Sequence, residues 1–187
     1  VRMQEAQPGV VTGLAWTSAG GEILFIETAK IRGDGKVKVT GQLGDVMKES
    51  VQIALTLVKS MFPEEAETLN ESDIHIHVPA GAVPKDGPSA GITIVTALTS
   101  MLLNKGISPE FAMTGEVSLR GGVMPIGGLP EKLMAAQRAG IKNVFIPYDN
   151  REDLEDVAEE VKAELHIIPV KRVEEVLKHT GLISEDK

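Results

Sequence analysis

Residues 84–104 read PKDGPSAGITIVTALTSMLLN, and the character of the chain changes in the middle of them. From Pro84 to Pro88 two prolines and a glycine impose an irregular loop. From Ser89 to Leu103 no side chain is charged, and the run ends at Lys105-Gly106, a plausible helix terminator. Such a segment predicts a helix over 89–103 that is buried on nearly every side. It is rich in threonine and too short for a convincing membrane span.

Upstream, apolar runs alternate with glycine turns: Val10 to Trp16, Gly20-Gly21, Ile23 to Ile31, Gly33-Asp34-Gly35, Val37 to Thr40. That pattern predicts an antiparallel meander. Met47, Val51, Leu55, Val58 and Phe62 then recur at spacings of four and three, the stripe of an amphipathic helix. Glu64 to Asp73 reads as a polar loop, and Ile74, Ile76 and Val78 alternate with His75 and His77 as a strand. Downstream come a strand near 111–114, a glycine-rich stretch from Gly121 to Gly128, and a helix opened by Pro130 and closed by Gly140. Val144 to Ile146 and Ile167 to Val170 read as strands, alternating with charged helices near 151–161 and 173–178. Strands first and mixed elements later predict an α+β domain. It is taken to span 1–183, with 184–187 as a disordered C-terminal tail.

The 187 residues, 42% of them apolar, suffice for one sizeable core. Acidic residues outnumber basic ones 27 to 19, and the net charge of −8 repels a phosphate backbone, so no nucleic-acid contact is expected. With no cysteine there is no disulfide framework, no thiolate zinc site and no cysteine nucleophile, which suits a reducing compartment. The chain opens at Val1 without a charged-then-apolar leader, so it reads as a piece of a longer, non-membrane protein.

The loop at 84–88 would deliver Ser89 to the start of the buried helix. Free backbone N–H groups and the positive dipole end there favour developing negative charge, which suits a nucleophile whose attack creates an oxyanion. Position alone also allows a plainer role for Ser89, as an N-cap. A serine hydroxyl needs a base. Histidine is the usual one, and His75 and His77 share one side of a strand, but no carboxylate or thiolate cluster near them in sequence argues for metal, and support of the active-site wall is the reading adopted. Lysine can serve instead if its surroundings leave it neutral. Lys132, in Gly127-Gly128-Leu129-Pro130-Glu131-Lys132, falls in the first turn of the predicted helix, where the dipole opposes its charge. The plainer alternative is an exposed lysine paired with Glu131.

Together PKDGPSAG and GGLPEK resemble the two active-site signatures of the Lon proteases (endopeptidase La), in their bacterial and mitochondrial branch, and the spacing of Ser89 from Lys132 agrees. The resemblance runs over nearly the whole chain, including segments near Glu27 and Gly41, His75-Ile76-His77-Val78-Pro79, and Met113-Thr114-Gly115-Glu116. It implies a fold similar to the second domain of a small-subunit ribosomal protein. It also implies Ser89 as nucleophile and Lys132 as general base, with Thr114 hydrogen-bonding near the lysine and His75, His77 and Asp86 in supporting positions. Pro130 departs from the family pattern, standing where many relatives have lysine.

The same resemblance implies a serine endopeptidase acting on unfolded or damaged proteins, six-membered rings, and a bacterial cytoplasmic setting with the mitochondrial matrix as alternative. No cofactor is expected in this domain. ATP and magnesium would belong to an ATPase module, and no Gly-x-x-x-x-Gly-Lys-Ser/Thr pattern occurs here. Two rivals share the general shape. A small-molecule kinase would need a longer Gly-Ser-Ser-Ala loop and a second half, and a non-catalytic ring module would lack the serine and the lysine.

Overall fold

The structure is a computed structural model and describes residues 5–18, 20–79 and 87–185. Strand β1 (Val10–Thr17) and strand β2 (Gly20–Arg32) form an antiparallel hairpin, in register from Val10 opposite Glu27 to Thr17 opposite Gly20. The expected meander stops there. Strand β3 (Val37–Thr40) does not pair with β2, because β4 (Ser72–His77) lies between them, antiparallel to β2 and parallel to β3.

The reason lies in the Gly33-Asp34-Gly35 turn. Its donors face a third strand: Gly33 N–H bonds the Glu71 carbonyl, Gly35 N–H the Ser72 carbonyl, and the N–H groups of Asp34 and Lys36 both reach the Asp73 carboxylate. A turn committed in this way cannot close a tight two-strand hairpin. The same bonds, that from Lys36 first, hold the Asp73 carboxyl below its usual pKa.

After β3 comes α1 (Asp45–Met61), whose buried Met47, Val51, Leu55 and Val58 follow the predicted stripe. The segment read as a polar loop is instead α2 (Pro63–Ala66) and a 3-10 turn over Glu67–Glu71. Helix α3 (Gly91–Leu103) is buried from Gly91 through Ser100, as its lack of charge predicts. Its terminator is Asn104, in the left-handed conformation at φ 55, and not Gly106.

Strands β5 (Phe111–Met113), β8 (Asn143–Pro147) and β9 (His166–Val170) extend the sheet to the order β3-β4-β2-β1-β5-β8-β9. Only β2 runs against the other six. A separate ribbon pairs β6 (Glu116–Val117) with β7 (Val123–Met124).

Helices cover both faces of the sheet. Helices α1 and α3, with α6 (Val173–His179), enclose a core containing Val11, Ile26, Ile74, Ile76 and Phe145. On the other face α4 (Leu129–Arg138) and α5 (Glu159–Glu164) enclose Leu14, Ala112, Val144 and Ile146. The predicted charged helix near 151–161 is a 3-10 stretch, Tyr148–Asp156, followed by the short α5. Asn150 fixes that stretch, because its buried amide bonds both the N–H and the carbonyl of Ile126.

Helix α4 sits directly on the start of β2. A Cβ at Gly21 would lie 2.0 Å from the Glu131 carbonyl oxygen, so only glycine allows this approach of backbone to backbone. Gly21→Ala should therefore destabilise the domain by about 1–3 kcal/mol while keeping its secondary structure. Thermal melts followed by circular dichroism test this, and an unchanged midpoint would show that α4 can slide without cost.

Candidate active site

Ser89 and Lys132 lie 43 positions apart in the chain and line one cleft of about 480 Å³. The cleft opens where β1 ends, between the N-termini of α3 and α4, and Ala15, Met47 and Ile126 form part of its wall.

Ser89 is half-buried and stands one residue ahead of the helix N-cap, which is Ala90 and makes no side-chain capping bond. The plainer role, capping, is thus not what Ser89 does. Backbone bonds clamp the approach to the helix: Gly91 N–H to the Pro88 carbonyl, Gly115 N–H to the Ser89 carbonyl at 2.9 Å, and Ile92 N–H to the Gly115 carbonyl at 3.0 Å. Two first-turn amides expected to be free are therefore occupied. Ala90 N–H, beside the hydroxyl, makes no backbone hydrogen bond among the described residues.

Lys132 is not the exposed lysine that position alone would allow. It is 2% exposed, and its Nζ donates to the Thr114 hydroxyl at 3.2 Å. Among the described residues no carboxylate forms an ion pair with it. Burial without a counter-charge lowers its pKa from 10.5 to about 8. Desolvation is the cause, rather than the helix dipole invoked from sequence. Thr114 and Gly115 are neighbours, so a single stretch at the end of β5 holds the lysine by a side chain and the serine by its backbone.

The other expected residues separate from this group. His75 and His77 lie on β4, two strands from β1, and neither lines the cleft. Their Nε2 and Nδ1 atoms share the Thr40 hydroxyl at 2.8 and 2.6 Å. Asp86 lies outside the described residues. No group of three His, Asp or Glu side chains among the described residues could hold a metal ion.

Three residues that shape the cleft carry no chemical signature in the sequence. Gly21 seats α4, Asn150 anchors Ile126 at the lip, and Trp16 lies exposed in the wall. Only the Gly20-Gly21 pair left a trace, and that trace reads as a turn.

A half-buried serine at a helix entrance and a buried lysine whose pKa is lowered to about 8 line one cleft, and comparison with known proteins returns a protease family. The family model of the Lon protease (S16) C-terminal proteolytic domain matches residues 2–182, and the chain belongs to that family. It is 55% identical to the Lon protease of Methanosarcina barkeri over 184 residues, covering 95% of this chain and 23% of that protein. It is 61% identical to the Lon protease of Clostridium beijerinckii over 177 residues (95% and 22%) and 54% identical to that of Escherichia coli K12 over 176 residues (92% and 22%). The chain thus spans less than a quarter of the length of these curated relatives.

The buried lysine has a thermodynamic consequence. Its pKa is about 8 folded and near 10.5 unfolded, so between those values the unfolded state binds more protons and stability rises with pH. Below pH 8 the full penalty applies, about 3 kcal/mol. Lys132→Met should remove it while leaving the Thr114 hydroxyl unpaired, for a net gain of roughly 1–3 kcal/mol at pH 7 that shrinks by pH 10. Calorimetry at the two pH values tests this, and a less stable Met variant at pH 7 would mean that no such penalty exists.

Proposed function

We propose that Ser89 is the nucleophile and Lys132 the general base of a peptide-bond hydrolase. The observation that carries this reading is the Thr114-Gly115 clamp, which sets a lysine of pKa about 8 and the serine loop on one cleft. Neutral Lys132 takes the hydroxyl proton as the Ser89 oxygen bonds to the peptide carbonyl carbon. The resulting oxyanion is met by the Ala90 N–H at the positive end of α3. The lysine then gives its proton to the departing amine; water, deprotonated by the same lysine, adds to the acyl carbon, and the lysine returns that proton to the Ser89 oxygen as the acid leaves. Thr114 holds the ammonium and amine forms in place. His75 and His77 keep at most an indirect part, because both are tied to Thr40 and neither lines the cleft.

The substrates are unfolded or damaged proteins, since a peptide must lie extended to reach a buried lysine beside a half-buried serine. In the whole protein this domain works in a six-membered ring with an ATPase module that binds ATP and magnesium, while the domain itself takes no cofactor. Bacterial and archaeal relatives, and the fact that no helix among the described residues is long and apolar enough to cross a membrane, support a setting in the cytoplasm.

Ser89→Ala should abolish peptide hydrolysis and fluorophosphonate labelling while leaving the fold intact, and labelling at another serine would overturn the assignment. Lys132→Arg should be as inactive as Lys132→Ala, because a guanidinium keeps its proton. In the unmodified chain kcat/KM should rise with pH through a midpoint near 8, as the ammonium loses its proton. A flat profile from pH 6 to about 10 would remove Lys132 from the role of base. Short or unfolded peptides should be cut without ATP, whereas a stable folded protein, resisting by about 5–15 kcal/mol, should survive.

A further inference from the structure

Apart from serines and threonines, only two polar side chains are buried among the described residues, Lys132 at 2% exposure and Asn150 at 3%. The reaction proposed for the cleft uses the first and leaves the second without a role. A strap of four residues, Pro125-Ile126-Gly127-Gly128, connects them: it runs from β7 into the first turn of α4 and touches Asn150 on the way.

Little in the strap itself fixes its path. Two of its residues are glycine, the residue with the freest backbone, and Gly128 takes a left-handed φ of +71°. Residues 125–127 make no hydrogen bond to another backbone group among the described residues. Their polar anchor is the Asn150 amide. Its Oδ1 accepts the Ile126 N–H at 2.9 Å, and its Nδ2 donates to the Ile126 carbonyl at 2.8 Å, as a neighbouring strand would. Nδ2 also donates to the Asp153 carboxylate at 2.7 Å, and because a carboxylate only accepts, that bond fixes which way the amide faces. A buried amide with three bonds resists displacement, since moving it would leave polar groups unpaired out of water.

Asn150 is held from behind as well. The Arg151 guanidinium lies 3.4 Å from the centre of the Tyr148 ring, and its Nε donates to the Tyr148 carbonyl. The Lys171 ammonium approaches the same ring at 4.3 Å, while the Lys171 carbonyl accepts the Val123 N–H of β7. The turn that grips the strap and the ribbon that feeds it are thus fastened together. At the other end the Gly128 carbonyl accepts the Lys132 N–H at 3.0 Å, and Ile126, Gly127, Gly128 and Lys132 line one cleft. Desolvation alone weakens the hold of Lys132 on its proton, with no neighbouring charge contributing, so the effect is only as strong as the exclusion of water.

We propose that Asn150 is a positioning residue for the base: by gripping both backbone groups of Ile126 it holds the strap and the first turn of α4 in place and keeps water from the Lys132 amine. This rests on the reading of Lys132 as base, yet the state of the amine can be measured without catalysis.

The experiment acetylates the Ser89→Ala chain with acetic anhydride across a pH series and reads each lysine by peptide mapping and mass spectrometry. Adding Asn150→Ala should raise the Lys132 midpoint by about one pH unit, toward the ordinary lysine range. With Ser89 intact, Asn150→Ala should lower kcat/KM on a fluorogenic peptide about tenfold at pH 7 and hardly at all at pH 10, where the base is deprotonated either way. An unmoved midpoint, or an equal loss at both pH values, would make Asn150 a merely structural residue and overturn the proposal. Should Asn150→Ala fail to fold, Asp153→Ala decides, since it removes one bond of the amide and spares the other two. A smaller upward shift is then expected, and no shift overturns the proposal. If Ser89 in the unmodified chain takes no fluorophosphonate while Asn150→Ala still moves the Lys132 midpoint, the peptidase reading falls and the hold of Asn150 on the lysine stands.

Discussion

The site depends on one short stretch, Thr114-Gly115, and on the bonds it makes in two directions. The Thr114 hydroxyl accepts from Lys132 Nζ, while Gly115 exchanges backbone bonds with Ser89 and Ile92 on α3. The stretch follows β5, beside β1, where the sheet is covered on both faces. The Thr114 N–H is itself tied to the Phe145 carbonyl of β8. A side chain and a backbone held from the same two residues cannot drift apart without breaking one of these bonds. Positioning of this kind is what a nucleophile and its base require before any proton moves.

The cost of the arrangement falls on Lys132. Burial is what lets Lys132 lose its proton near pH 8, and that burial is secured by Leu129, Leu133 and Ala136 packing α4 into the second core. Close backbone approach at Gly21 presses the same helix onto β2. Apolar packing that stabilises the domain as a whole therefore also holds an uncompensated amine out of water, so stability and reactivity are opposed at this residue.

Much of this was legible in the chain. The uncharged run after Ser89 requires a helix surrounded by protein whatever packs around it, and α3 is buried throughout its first ten residues. The α1 stripe was equally local, since its period is written in the chain, whereas Ser89 and Lys132 were singled out as a pair by the resemblance of PKDGPSAG and GGLPEK to the family signatures. The topology was not. Whether the donors of the 33–36 turn close a hairpin or reach Asp73 depends on a strand some forty residues on, and nothing in the turn itself distinguishes the two.

The sequence by itself determined the long helices α1 and α3, the main strands and which residue types were available to react, because these follow from side-chain chemistry over a few turns of chain. Only the tertiary structure decided that Lys132 is desolvated, that Thr114 is its partner, that the two histidines share Thr40 away from the cleft, and that Trp16 stands open at its mouth. Burial, and the pKa that follows from it, is a property of what packs around a group. That packing is contributed by residues distant in the chain, so no local pattern can encode it.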